Sequence, residues 1–338
     1  MGKLGEKNKK MIIVKISTYD SDWPLLRQTP GKKGIWGNVQ FFVNDDTVKE
    51  CDYWIVYEGF SNIEKALCPK NNICFVSGEP PSKRQYKTGY IRQFAKVITC
   101  HRGMRHRNKI YWQQANPWHV GRRQINNRDI EFSKDYDELN SMDEIPKTKL
   151  ISVICSNKIK IKGQRDRLQF VSFLKEYFKD KIDVFGRGIR EIEDKWDAIA
   201  PYKYHVTLEN SCYDDCFTEK LSDVFLAGTY PIYHGAGNIY SYFPEESLTC
   251  IDIYKPLEAV KTIEMVMENR YYEKYKLSIM ESRKKVLDEY NLFPTIVDKI
   301  IKPDMNKNKV KVEITLKPEH YYGFRAIETT VRDIFKIK

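Results

Sequence analysis

The sequence predicts an α/β chain of two domains, each built on a parallel sheet. Three observations carry this expectation. The chain has 338 residues, enough for about two domains with real cores. Short apolar runs of strand length recur along it, separated by polar, partly helical spacers. Residues 202–237 read as strand, loop, helix and strand in direct succession. An apolar run at 205–208 ends in a polar loop, and Thr218-Glu219-Lys220 opens a helix with Leu221, Val224, Phe225 and Gly228 at helical spacing. A second strand then starts at Pro231-Ile232-Tyr233.

In the first domain, residues 1–10 form a polar, basic lead, and strands are expected at 11–16, 40–43, 53–57, 73–76 and 94–99. The fourth strand runs into Ser77-Gly78-Glu79-Pro80-Pro81. Glu79 thus follows a strand directly, and two prolines stiffen the chain behind it. A carboxylate held there is placed to act as a general base toward an attacking hydroxyl, or else serves as a turn residue. Residues 115–121 (ANPWHVG) put Trp118 and His119 on a turn. They read as a sugar-stacking platform with a hydrogen-bond donor, or as packing at the domain edge. Residues 122–148 are charge-rich without apolar periodicity and read as an interdomain linker.

The second domain opens with a strand at 150–155. A basic loop leads to a helix whose apolar positions are Leu168, Val171, Leu174 and Phe178. Arg165 and Arg167 sit near its start, where the helix dipole favours anions, so an oxyanion ligand is a better reason for them than helix stability. A strand at 183–185 ends in Gly186-Arg187-Gly188, whose glycines allow close backbone approach to a ligand. Thr218 is a good N-cap, and the loop before it lies outside the carboxyl end of a strand, where open α/β sheets bind ligands. The helix N-terminus suits a phosphate, and Lys220 stands where the dipole disfavours a cation unless a ligand explains it. Glu219 can accept from ribose hydroxyls; otherwise the two are solvated first-turn charges. Residues 258–290 are helical in pattern until Asn291-Leu292-Phe293-Pro294 breaks them. The expected units are 1–148, 149–300 and a basic tail at 301–338. Within the tail, residues 324–337 form an amphipathic helix that packs back on the first domain or anchors at a membrane interface.

Tyr202-Lys203, Glu209-Asn210-Ser211, Thr218-Glu219-Lys220, Gly228-Thr229-Tyr230-Pro231 and Gly235-Ala236 stand in one order and spacing. In this the chain resembles the donor-binding motif of the family 10 glycosyltransferases, the α-1,3/4-fucosyltransferases. The resemblance implies a GT-B architecture, two Rossmann-like domains facing a cleft, with the acceptor on the first and the nucleotide-sugar on the second. It implies inverting transfer of L-fucose from GDP-fucose to a hydroxyl of an oligosaccharide or lipid-linked glycan, with an α-1,3-type linkage. Glu79 would be the base, and Arg167 and Lys220 would stabilise departing GDP. Phe170 would neighbour Arg167, and Arg165 would take that role if the register differs. Asn210 and Glu219 would hold fucose and ribose, with Thr218 and Gly186 as further donor contacts and Trp118 and His119 on the acceptor side. Cys216 departs from the family, which often has a tyrosine there. Asp214-Asp215 is adjacent rather than spaced as a metal-holding Asp-x-Asp, so no metal is expected.

Composition bounds the partners. Lys and Arg number 57 against 46 Asp and Glu, a formal charge of +11, which suits nucleic acid, a membrane surface or a nucleotide-sugar. Acidic residues are interleaved throughout, which argues against a nucleic-acid-binding module, since that class clusters its cations on one surface. Eight cysteines without a Cys-x-x-Cys pair read as reduced thiols. No apolar segment reaches membrane-spanning length and no signal peptide is evident, whereas animal members of the resembled family look like single-span Golgi proteins. The expected location is therefore the cytoplasm, with peripheral contact at the inner face of a membrane as the alternative. Lipopolysaccharide glycans are among the expected acceptors. The rival readings are a transferase for another GDP-sugar and an inactive sugar-binding relative; the presence of both Glu79 and Lys220 speaks against the second.

Overall fold

The protein is described by a computed structural model covering residues 10–19, 22–125, 129–304 and 310–323. Along the first part of the chain run strands β1 (Ile12–Thr18), β2 (Ile35–Trp36), β3 (Val39–Val43), β4 (Tyr53–Tyr57), β5 (Glu64–Pro69), β6 (Ile73–Val76), β7 (Lys96–Thr99) and β8 (Lys109–Tyr111). All but β5 form one sheet in the order β2-β3-β1-β4-β6-β7-β8, parallel except where β2 meets β3. The central β4 is buried along its whole length, and its alternating side chains feed two cores. Tyr53, Ile55 and Tyr57 pack with Val14 and Ile16 on one face, and Trp54 and Val56 with Phe75 and Val97 on the other. Phe94, expected in a strand, lies before β7 in the turn that follows the short Thr88–Ile91 helix, where it packs against Phe75 and Tyr90.

The expected linker is partly ordered structure. Strands β9 (Arg122–Ile125) and β10 (Asp129–Phe132) form an antiparallel hairpin, and Asp135 caps a Tyr136–Ser141 helix by accepting from Glu138 N at 2.9 Å. The surrounding loop is gathered by the buried Arg27, which donates to the carbonyls of Trp118, Val120 and Ser133. A long-range cation therefore supplies the order that local periodicity does not announce.

The second sheet holds β11 (Lys149–Ile154), β12 (Asp183–Phe185), β13 (Tyr202–Leu208), β14 (Tyr230–His234) and β15 (Thr249–Cys250), all parallel, in the order β12-β11-β13-β14-β15. The Lys162–Phe178 helix buries Phe170, Val171, Leu174 and Phe178, while Leu168, the other position in the predicted spacing, is partly buried. The Glu219–Leu226 helix stops before Gly228, whose φ of +60° is the left-handed conformation glycine adopts without strain. The stretch expected to be helical at 258–290 comprises Pro256–Glu268, Tyr271–Lys274 and Lys276–Lys285, the last running on through a wider helical turn at Val286–Tyr290 to Asn291; Arg270, with φ of +51°, interrupts it.

The chain returns to the first domain earlier than the boundary placed at residue 300. Leu292, Phe293, Ile296, Val297, Ile300 and Ile301 fill the core beside Val14, Ile16 and Ile55. That face of the first sheet is apolar, and this segment covers it together with Leu25 and Ala115. Strand β16 (Lys311–Leu316) then pairs antiparallel with β5, so the described part of the tail does pack on the first domain. The amphipathic helix expected at 324–337 lies outside the described residues. Among those described, no helix is long and apolar enough to cross a membrane. The two parallel sheets present their carboxyl ends to a shared cleft, as the GT-B expectation required.

Candidate active site

The cleft has a volume of about 550 Å³. Thr18 and Tyr19 after β1, Glu58 after β4 and Gly78-Glu79 after β6 line one side. Asn210-Ser211 after β13 and Thr218-Glu219-Lys220 at a helix start line the other. Glu79 and Lys220 therefore face one cavity from opposite domains. A second cavity of about 290 Å³ lies within the second domain, sharing His119, Glu219 and Lys220 with the first and reaching Arg167 and His205.

On the second-domain side the helix start is tied down by Glu209. Its buried carboxylate accepts from Thr218 N at 2.7 Å and from Thr218 Oγ1 at 2.8 and 2.9 Å. Lys220 Nζ donates to Thr218 Oγ1 at 2.9 Å and pairs with Glu219 at 3.2 Å and Glu209 at 3.4 Å. Burial disfavours the Lys220 charge, but the Glu219 and Glu209 carboxylates outweigh it and raise its pKa. Burial likewise opposes ionisation of Glu219, and Lys220 with Lys195 overrides it, leaving that carboxyl well below the usual range. Lys195 reaches Asp223 at 3.1 Å and Glu219 at 3.5 Å.

Arg167 differs from these paired cations. It is buried, its Nη1 donates to Leu208 O at 2.9 Å, and its Nε is a buried donor with no partner. No carboxylate stands within ion-pairing distance of it among the described residues. Arg165, two positions earlier, is rotated about 200° around the helix axis and is exposed, donating to Ile159 O. The helix phase thus selects Arg167 as the arginine that faces the site. Gly163 lets this helix approach, since a Cβ there would sit 1.8 Å from Asn210 O.

On the first-domain side, Lys83 forms an ion pair with Glu79, and His101 Nε2 lies 2.7 Å from Glu79 O. Asn116 donates to Gly78 O at 2.9 Å and to Tyr57 OH at 3.2 Å, while its Oδ1 is a buried acceptor without a partner. His119 lines both cavities and stacks with Trp23 at 4.8 Å between ring centroids. Burial, with Lys195 nearby, holds His119 down to about 4, so its ring is neutral.

Residues 145–283 match the model described as "Glycosyltransferase family 10 (fucosyltransferase) C-term". The similarity to family 10 glycosyltransferases thus falls on the second domain. Human 4-galactosyl-N-acetylglucosaminide 3-alpha-L-fucosyltransferase 9 is 30% identical over 133 residues, 37% of this chain and 36% of that protein. GDP-fucose protein O-fucosyltransferase 3 of Danio rerio is 38% identical over 53 residues, 16% of this chain and 12% of that protein. The matched region thus spans 36% or less of these relatives' own length. Among solved structures, an alpha1,3-fucosyltransferase with GDP-fucose superposes with a TM-score of 0.47 at 14% identity over 87% of this chain and 95% of that one. Another alpha1,3-fucosyltransferase structure gives 0.49 at 13% identity over 87% and 94%.

The family 10 segment contains Arg167, Asn210, Thr218, Glu219 and Lys220, all of which line one or both cavities. Glu79, Trp118 and His119 lie before it. Two expected site residues fall elsewhere. Trp118 is fully buried and donates to Lys134 O at 3.0 Å, so it packs the core and cannot stack on a sugar. Among the aromatic rings that line the cleft are Tyr19, Trp23 and Tyr57; Trp23, between Asp22 and Pro24-Leu25-Leu26, belongs to no motif singled out in the sequence. Gly186 lines neither cavity. At φ of +136°, with a Cβ position 1.9 Å from Cys155 O, it is required by strand packing.

Several residues of the site escaped sequence reasoning. Glu209 was legible as part of the Glu209-Asn210-Ser211 motif but without a role of its own, and Lys195, at the start of the Lys195–Ile199 helix, was not singled out. Asp223 is fully buried and crosses the cleft, accepting from His119 N at 2.8 Å and Val120 N at 3.1 Å. Cys216, at the position of the family tyrosine, is buried against Gln114 with Sγ to Oε1 at 3.3 Å, another contact between domains. Asp215 is consumed by Arg102, Asn238 and Tyr242. Among the described residues no three His, Cys, Asp or Glu side chains converge as a metal site.

Proposed function

We propose that the chain catalyses inverting transfer of L-fucose from GDP-fucose to a hydroxyl of a glycan acceptor, forming an α-1,3-type linkage without a metal. The observation that carries this is Arg167. A buried guanidinium with one carbonyl partner and an unpaired Nε is an expensive arrangement. A diphosphate in the adjoining cavity would relieve it with charge-assisted hydrogen bonds. The family 10 match, and the fucosyl transfer named for its relatives, support guanosine diphosphate as that group.

In this reading the acceptor oxygen attacks the anomeric carbon from the first-domain side as Glu79 takes its proton. The bond from the anomeric carbon to the diphosphate breaks, and GDP leaves with the electron pair. Arg167, Lys220 and the Thr218-capped helix end meet the charge that develops there. Glu219 and Asn210 hold the ribose and the sugar, and Trp23 with His119 gives the acceptor an aromatic wall. The test is turnover of GDP-fucose against other GDP-sugars with a panel of β-galactoside and N-acetylglucosamine acceptors, with and without chelator. GDP-fucose turnover that survives chelation is expected. Binding of UDP with indifference to GDP would end the reading.

A further inference from the structure

Glu58 is, with Glu79, one of two carboxylates that line the first-domain side of the cleft, and the mechanism above leaves it unused. It follows β4 directly and holds φ of +66°, a conformation that non-glycine residues rarely adopt. Its backbone N donates to Val76 O at 3.0 Å, which fixes it beside the end of β6. The carboxylate lies against the residue that precedes Glu79, because a Cβ on Gly78 would be only 2.3 Å from Glu58 Oε1. The loop after Glu79 then closes on it. Arg84 Nη1 reaches Glu58 Oε2 at 3.2 Å while its Nη2 reaches Glu319 Oε2 at 3.0 Å, and Tyr86 OH donates to Glu58 Oε1 at 3.3 Å.

We propose that Glu58 is a positioning residue whose negative charge, held against Gly78, drives the acceptor proton onto Glu79. This rests on Glu79 being the base. Like charges repel, and the Glu58 carboxylate lies against the residue next to Glu79, so an ionised Glu58 opposes a second negative charge there and favours transfer of the acceptor proton as the acceptor attacks. Burial raises the Glu58 carboxyl to about 7, with the Glu79 charge adding and Arg84, Gly78 N–H and Tyr86 opposing. Tyr57 lies close on its own strand, its hydroxyl 2.8 Å from that same Gly78 Cβ position. Lys83 faces the pair through Glu79, and Glu319 through Arg84. Below neutrality Glu58 takes a proton, the repulsion vanishes, and Glu79 loses its drive. The Gly78 position has no room for a side chain because this contact occupies it.

The experiment is kcat/KM against pH from 5.5 to 9 for the full chain and for Glu58→Gln, Tyr86→Phe and Glu79→Gln, with GDP affinity measured alongside. The native protein should show an acid limb near the value of about 7 to which burial raises Glu58. Glu58→Gln should lose that limb and run roughly tenfold slower on the alkaline plateau with GDP affinity kept. Tyr86→Phe, which removes only a donor to the ionised form, should move the limb to higher pH; it serves if Glu58→Gln fails to fold. An unmoved limb in both variants overturns the proposal. Retained turnover in Glu79→Gln instead overturns the base assignment, whatever Glu58 does.

Discussion

Arg167→Met separates a ligand-binding arginine from a structural one. The change removes one charge-assisted hydrogen bond, to Leu208 O at 2.9 Å, worth about 1.5–3 kcal/mol. It also removes a buried cation with no carboxylate beside it, whose desolvation costs several kcal/mol. The two offset, so the unliganded variant should lie within about 2 kcal/mol of the native protein, a shift of roughly 4–8 °C at most for a domain of this size. The ligand response should differ far more. GDP at about a hundredfold excess over its Kd stabilises the native protein by about 2.7 kcal/mol, or roughly 5–10 °C. Loss of the diphosphate contacts weakens binding by about 100-fold, which leaves about 0.4 kcal/mol and a shift of roughly 1 °C at the same concentration. Thermal unfolding with and without GDP, and calorimetric titration, read both quantities. A variant that collapses without ligand, or that keeps the full GDP shift, would refute the assignment.

Lys220→Ala should abolish both GDP binding and turnover. It should also destabilise the free protein by about 3 kcal/mol, because the buried Glu209 loses its cation, as a denaturant titration will show. Trp23→Ala should raise the acceptor KM by roughly tenfold while GDP affinity holds, in steady-state kinetics and titration. Gly186→Ala should cost more than about 2 kcal/mol through its positive φ and the crowding of Cys155 O, yet leave the GDP Kd unchanged in the folded fraction. Burial holds His205 to about 3 and His119 to about 4, both below the ordinary 6.5. The stability their neutral rings contribute is therefore complete above pH 6.5 and lost as pH falls from 6.5 through those values. His119 alone should account for about 3 kcal/mol by pH 4. Unfolding followed from pH 7 to 3.5 should steepen below 6.5, and His119→Gln should flatten part of that slope.

The motif at 202–237 was legible because its determinants are local. Thr218 caps the helix two residues ahead of Lys220, Gly228 supplies the left-handed stop, and the apolar run of β13 delivers Asn210 to the sheet edge. Glu79 was legible for the same reason: a strand, a glycine and two prolines place a carboxylate wherever the strand ends. The sheets themselves follow from apolar runs whose burial any parallel partner satisfies. What local pattern could not decide is which side of an element faces another part of the chain. Trp118 and Trp23 are both tryptophans near prolines, and only packing around Arg27 sent one to the core and left the other in the cleft. Arg165 and Arg167 differ by helix phase against Leu208 O, Gly186 answers to the Cys155 carbonyl just past β11, and residues 292–301 answer to a sheet face built from the start of the chain. Glu58, Lys195 and Asp223 acquire meaning only from charges dozens of residues away. Capping, turn formation and strand propensity act within a few residues and so can be read in order along the chain. Burial and ion pairing depend on distance in space, and folding alone sets that distance.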